Sequence, residues 1–196
     1  MLPISPIPEL RVIELDESTE TLLQQFFDDN PFYFEAVHGE PAKLGEAHEE
    51  IFDELPPGWS YTKKWVIGYL NDRGNMVAMA NVVSDSIATN VWHVGTFIVA
   101  TEWHGSGKAL TLYTGLEQWA TFHGAEWLRL GVVVGHKRAE RFWASRGYVE
   151  VAQREGIAMG KRINTLRVMV KSLYDRELQE YSELMARDQL PPPSVA

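Results

Sequence analysis

The sequence contains no cysteine. That removes disulfides, thiolate metal sites and cysteine nucleophiles together. Positive charge is scarce: 18 Lys and Arg stand against 27 Asp and Glu, a formal net charge of −9. This balance disfavours nucleic acid as the main partner; a neutral or cationic partner, such as an amine, fits better. No apolar run approaches the ~20 residues that a membrane-spanning helix needs. The N-terminus carries Pro3, Pro6 and Pro8 and lacks the basic stretch of a signal peptide. The chain reads as soluble and cytoplasmic, with no membrane partner. Internal repeats are absent, and so is any linker long enough to divide two domains. What is present, 196 residues with 45% hydrophobic and 23% charged, suits one domain with a full core.

Residues 1–9 read as an extended arm because their prolines block helix. Residues 10–15 read as a first strand. Asp16 or Ser18 can cap a helix with Leu22, Leu23, Phe26 and Phe27 on one side, ending at Asn30-Pro31. An aromatic segment, Phe32-Tyr33-Phe34, follows. Residues 43–55 form a second helical pattern, stopped by Pro56-Pro57-Gly58. Residues 62–70 and 75–84 read as a hairpin around Asn71-Asp72-Arg73-Gly74. Residues 148–154 and 165–171 read as further strands. Residues 173–187 read as a helix with Leu178, Tyr181 and Met185 on one face, serving either as a cover for the core or as a homodimer interface. Pro191-Pro192-Pro193 closes a tail. The domain proper spans residues 10–173, with residues 174–196 as a helical and Pro-rich appendage.

The informative stretch is 91–148. An apolar strand, 91–99, is followed by the turn His104-Gly105-Ser106-Gly107-Lys108-Ala109 and then by an amphipathic helix carrying Leu112, Tyr113, Leu116 and Trp119 on one face. A second apolar strand, from Trp127 to Val134, leads into a short helix closed by Gly147-Tyr148. A glycine turn at a helix N-terminus gathers unpaired backbone N–H groups and a positive dipole end, which is an anion site. A nucleotide P-loop needs a glycine where Glu102 stands and Ser or Thr where Ala109 stands, so that reading fails twice. A dinucleotide fingerprint finds Leu110 at its third glycine and no matching acidic residue.

The loop from His104 to Ala109 resembles the acetyl-CoA loop, [RQ]-x-x-G-x-[GA], of the GCN5-related N-acetyltransferase (GNAT) superfamily. The stretch from Val132 through His136, Ala139, Phe142 and Trp143 to Gly147-Tyr148 resembles that family's second signature, V-x-x-x-N-x-x-A-x-x-F-Y-x-x-x-G-[FY]. Both occur in order and on the expected elements. The resemblance implies an α/β fold: a mixed, mostly antiparallel sheet of about six to seven strands flanked by helices. It implies acetyl-CoA as co-substrate, held by the backbone of Phe97, Ile98 and Val99 and by His104, Gly105, Ser106, Gly107, Lys108, Ala109 and Leu110, with the thioester near His136 and Trp143. It implies an amine acceptor, small-molecule or protein, and transfer by direct attack in a ternary complex.

Three positions depart from the family pattern. His104 stands where Arg or Gln is usual, His136 where Asn is usual, and Trp143 where a Tyr is thought to protonate the leaving thiolate. The indole N–H cannot act as an acid at neutral pH. Trp143 therefore keeps open a second reading, a non-catalytic acyl-CoA-binding sensor or scaffold of this fold. Strict strand alternation would put Val99, Phe97, Gly95 and His93 on one face. His93 then resembles, by position, the place where some members carry a Glu base, and a neutral imidazole can accept the amine proton. The competing assignment for His93 is a hydrogen-bonded core histidine. Catalytic candidates are thus His93, His136 and Trp143. Phe32, Tyr33, Phe34, Trp59 and Tyr61 read either as ordinary core or, as the resemblance implies for this region, as acceptor-site walls, with Tyr33 and Glu35 as polar members. Lys137, Arg138 and Arg141 read as a solvated face, one of them near the adenosine phosphate. His48-Glu49 lacks the second histidine of a zinc motif, since Phe52 occupies that place, so no metal is expected.

Overall fold

The computed structural model describes residues 1–55 and 58–188. Pro56, Pro57 and the Pro191–193 tail therefore lie outside the described residues. Seven strands form one sheet: β1 (Arg11–Glu14), β2 (Lys63–Leu70), β3 (Met76–Ser84), β4 (Val91–Val99), β5 (Trp127–Val133), β6 (Val149–Met159) and β7 (Arg162–Ser172). Their order is β1-β2-β3-β4-β5-β7-β6. Every neighbouring pair is antiparallel except β4 and β5. The expected fold class holds, and the last two strands run longer than the sequence pattern shows.

Among the described residues six α-helices flank the sheet: α1 (Glu20–Asp29), α2 (Phe32–Val37), α3 (Glu46–Phe52), α4 (Lys108–Phe122), α5 (Lys137–Ser145) and α6 (Leu178–Leu184). The aromatic segment is α2. Both α3 and α6 are shorter than their apolar patterns. Gly45, at φ +89°, starts α3, and a turn precedes α6, whose N-terminus Glu177 and Glu180 close reciprocally.

The β2–β3 hairpin is central and buried on both faces, which explains its near-continuous apolar run. Its turn is fastened by Asn71, whose side-chain oxygen accepts from the N–H groups of Arg73 and Asn75 at 3.0 Å each. On one face, α4 and α5 cover a core that includes Trp65, Trp92, Trp119, Leu128 and Trp143. The rings of Trp65, Trp92 and Trp119 lie 5.1–5.3 Å apart. On the other face α1, α2 and α3 cover Val66, Met79 and Ile98. A smaller cluster joins Tyr181 and Met185 of the C-terminal segment to Trp127 and Val170.

The N-terminal arm lies along α4. Pro6 packs so closely on Gly115 that a Cβ there would come within 2.8 Å of the proline ring. The Trp119 indole donates to the Met1 carbonyl at 3.0 Å. Asn30 ends α1 and anchors it to the sheet: its amide donates to the Phe26 carbonyl at 2.8 Å, and its oxygen accepts from the Thr101 N–H at 2.7 Å.

One sequence expectation fails on the geometry of β4. Thr96 pairs with Asn81, and Val94 pairs with Val82. Gly95 is the extra residue of a β-bulge, and it reverses the alternation. Phe97, Val99, Val94 and Trp92 share the face toward α4 and α5. His93 is therefore on the opposite face from Phe97 and Val99.

Candidate active site

The bulge also marks where the sheet opens. β4 and β5 pair only through Val91–Val94 and Trp127–Leu130. Beyond that point β5 stays with β7 as far as Val133, while β4 stays with β3. The Ala100 N–H donates to the Val77 carbonyl at 2.8 Å. By antiparallel alternation the backbone groups of Ile98 then face β3, and those of Phe97 and Val99 face the gap. The backbone of Ile98 is thus spent within the sheet, although the residue lines the cleft.

At the end of this gap lies the glycine turn. Gly105 and Gly107 have φ of +78° and +83°, conformations that L-residues resist. Gly107 is the N-cap of α4 and leaves the helix without a side-chain cap. The N–H groups of Gly105, Gly107, Ala109 and Leu110 have no partner among the described backbone and side-chain hydrogen bonds, whereas the Ser106 N–H returns to Trp103. The Lys108 ammonium sits 3.8 Å from the Trp103 ring centroid. Four open donors on a helix end suit a pyrophosphate.

His104 does not face these open donors with a free ring. Its Nε2 hydrogen-bonds the Val99 carbonyl at 3.1 Å, and Arg138 donates to its Nδ1. This fixes the Nε2–H tautomer, and burial and Arg138 both lower its pKa. The imidazole holds Arg138 at the cleft, so Arg138 is the cation of the short helix that lines it. Together with Phe32, Trp103 and Phe142, these groups enclose a cleft of about 310 Å³.

A second cleft, of about 520 Å³, opens on the other side of the gap. The two share five lining residues: Tyr33, Phe97, His136, Ala139 and Trp143. Trp143 also packs against Tyr113 and Tyr148, so it is both core and cleft wall. Trp59 and Leu55 wall the second cleft, whereas Phe34 is core beneath α2. His136 has a buried Nε2 with no partner among the described residues. Burial, then Arg138, lower its pKa. The loop carrying His136 is held by Glu140, whose carboxylate accepts from the Gly135 N–H at 3.0 Å and from Arg167 at 3.1 Å. Those bonds bring Glu140 down to about 2.

Polar groups that line the second cleft are held from behind by residues from distant parts of the chain. The Glu50 carboxylate accepts from Asn81 at 2.6 Å and from Thr96 at 3.2 Å. Burial pushes Glu50 up despite these donors. Burial, then the Glu50 charge, also push up the phenol of Tyr33, the single tyrosine lining either cleft. Arg129, in mid-strand, is 5% exposed and pairs with Asp188, 2% exposed, at 2.7 and 3.0 Å. The Tyr181 hydroxyl donates to the same carboxylate at 2.7 Å. His93 accepts from Arg129 at Nδ1 over 3.3 Å. Burial, then the Arg129 charge, bring His93 down to about 3. Among the described residues no three His, Asp or Glu side chains gather as a metal site, and His48 is paired with Glu20 at 2.9 Å.

Arg129 had a visible signal, a charge inside the apolar run Leu128–Val134. Glu50 and Asp188 had none, because their partners are remote in sequence. Among the described residues no helix is long and apolar enough to cross a membrane.

Known proteins share this framework. The structure of spermidine N-acetyltransferase from Vibrio cholerae in complex with CoA and spermine superposes at a TM-score of 0.63 with 15% identity, covering 84% of this chain and 96% of that one. An acetyltransferase from Thermus thermophilus gives 0.65 and 18%, over 84% and 97%. The ribosomal-protein-S18-alanine N-acetyltransferase from Escherichia coli gives 0.59 and 11%, over 95% and 99%. No curated protein matches the sequence. The family described as "Acetyltransferase (GNAT) family" matches residues 23–148. With the splayed strands, the open glycine turn and this match all coinciding, the chain belongs to the GNAT acetyltransferase family, whose enzymes draw their acetyl group from acetyl-CoA.

Proposed function

We propose that this chain acetylates a primary amine by direct attack in a ternary complex. The observation that supports the reading best is the junction of the two clefts at Tyr33, Phe97, His136, Ala139 and Trp143. A donor in one cleft and an acceptor in the other can meet only there.

The residues fit acetyl-CoA. The open N–H groups of Gly105, Gly107, Ala109 and Leu110 would take the pyrophosphate, with Lys108 and Arg138 as flanking cations. The gap-facing backbone of Phe97 and the N–H of Val99, whose carbonyl His104 already holds, would pair with the pantetheine amides as an added strand does. When bound, acetyl-CoA supplies an activated acetyl thioester.

The chain's own groups do the rest. Glu50 takes the amine proton through the Thr96 hydroxyl, which lines the acceptor cleft and is hydrogen-bonded to Glu50. A carboxyl raised by burial is a stronger base than an ordinary one. Tyr33 supplies the O–H that Trp143 lacks and hydrogen-bonds the departing sulfur; its raised pKa keeps that proton in place at neutral pH. His136, neutral and with an unpartnered Nε2, serves as a donor to the acetyl oxygen. In this reading His93 is not the base. Arg129 occupies its Nδ1, so its proton is on Nε2 and it donates to the acceptor. Trp143 shapes the acyl end of the cleft.

The test is to mix the chain with acetyl-CoA and a panel of primary amines, following free thiol and N-acetylated product by mass. Amine-dependent thiol release, with no acetyl group left on the protein, is expected. Tight acetyl-CoA binding with no release for any amine would sink the catalytic reading and favour the sensor or scaffold.

A further inference from the structure

The acceptor cleft has a charge pattern that bears on what enters it. None of its lining residues is Asp or Glu, and three are arginines: Arg129, Arg154 and Arg187. Their one carboxylate partner is Asp188, which pairs with Arg129 and, at 3.3 Å, with Arg154. With Glu50 counted behind Thr96 as well, three positive charges stand against two negative ones, and the excess of one lies at the arginine end. Arg187 has no carboxylate partner among the described residues. Its guanidinium lies 4.9 Å from the Trp59 ring centroid, and that of Arg129 lies 5.0 Å from it. His93 closes the group, its ring centroid 5.2 Å from that of Trp59. The lining of the same cleft also includes the apolar side chains of Ile157, Met159, Leu166 and Val168.

We infer that the acceptor carries a carboxylate at the end remote from its amine, and that this carboxylate seats on Arg187 and its neighbours. The inference rests on the acetyl-transfer reading of the same site. A guanidinium without a counter-ion, beside an aromatic face in a half-enclosed cleft, selects a planar anion over a cation. A polyamine would bring a second ammonium against three arginines. Length is set by β4: Thr96 marks the amine end and His93 the arginine end, and because Gly95 is bulged they lie opposite Asn81 and Val83 of β3, two ladder steps or about 7 Å apart. An α-amino acid, with amine and carboxylate on one carbon, is too short to reach both. An ω-amino acid or a small peptide spans the distance.

The experiment compares 6-aminohexanoate, its uncharged carboxamide and spermidine as acceptors with acetyl-CoA. We expect kcat/KM for the carboxylate to exceed that for the carboxamide by roughly tenfold or more, the worth of one charge-assisted hydrogen bond, with spermidine the slowest. Arg187→Gln should bring the carboxylate-to-carboxamide ratio toward one while acetyl-CoA affinity is unchanged. Equal rates in the wild type, a preference for spermidine, or an unaltered ratio in Arg187→Gln would overturn the inference while leaving acetyl transfer intact. Should no amine be acetylated, the transfer reading fails by itself. Calorimetric binding of 6-aminohexanoate against its carboxamide, with CoA present, then decides this one: tighter carboxylate binding upholds it, and equal binding ends it.

Discussion

Asp188→Asn probes the most deeply buried charges of the acceptor side. In the native chain one carboxylate accepts from Arg129, Arg154 and Tyr181. An amide has one acceptor oxygen, and its NH2 would face a guanidinium. Arg129, 5% exposed, would keep its charge without a counter-charge. Breaking a buried pair from one side costs about 3 kcal/mol or somewhat more. In a chain of this length that lowers the melting temperature by roughly 6–12 °C. The pH dependence carries the sign. Burial opposes ionisation of Asp188, but the hydrogen bonds and charge of Arg129 outweigh it and hold the carboxyl below its usual 3.8. Its stabilisation is therefore present above pH 3.8 and lost as pH falls through the folded value. Thermal melts at pH 7 should show the full gap between native and variant chains, and melts taken at successively lower pH should show it closing. A variant that melts within about 2 °C of the native chain at pH 7, or a gap that does not narrow in acid, would refute the reasoning.

Gly107→Glu should fold, since nothing lies within 4 Å of a Cβ there and the left-handed backbone costs only about 1–2 kcal/mol; its carboxylate should abolish acetyl-CoA binding in calorimetry. Tyr33→Phe should lower kcat by roughly tenfold or more and leave acetyl-CoA affinity unchanged; equal turnover would remove the phenol from the reaction. With Glu50 as base and its pKa raised, kcat/KM of the native chain should climb with pH through a value above 4.5, and Glu50→Gln should lose that limb. Gly115→Val should push Pro6 off α4 and cost about 1–3 kcal/mol in a denaturant melt.

The anion turn was legible because its chemistry is local: glycines with positive φ and a helix start lie within six residues of one another. The hairpin and the amphipathic α4 were legible for the same reason. The face of His93 was not. A single glycine inside an apolar strand looks like any other strand residue, and only the pairing with β3 reveals that Gly95 is extra. The polar groups around the second cleft were hidden more deeply. Glu50 meets Thr96 from 46 positions away, and Arg129 meets Asp188 from 59, so only the topology brings them together. Tyr33 stood out among the aromatics as polar. That it, and not Trp143, offers an O–H at the junction required the α2 geometry.

The bulge at Gly95 has a consequence for how the molecule behaves among its own copies. A strand edge with unsatisfied backbone groups is ordinarily an aggregation hazard, open to any extended segment that drifts past. Here such an edge runs along Phe97 and the Val99 N–H, the Val99 carbonyl being held by His104, in the interior of the sheet, with β5 and β7 standing on its far side. Because β1 and β6 form the outer edges of the sheet, a neighbouring copy does not meet this backbone as an edge strand. A chain that carries amides but no side chains to speak of can enter the gap. The fold thus keeps an open ribbon of backbone inside the sheet and not at its exposed edge.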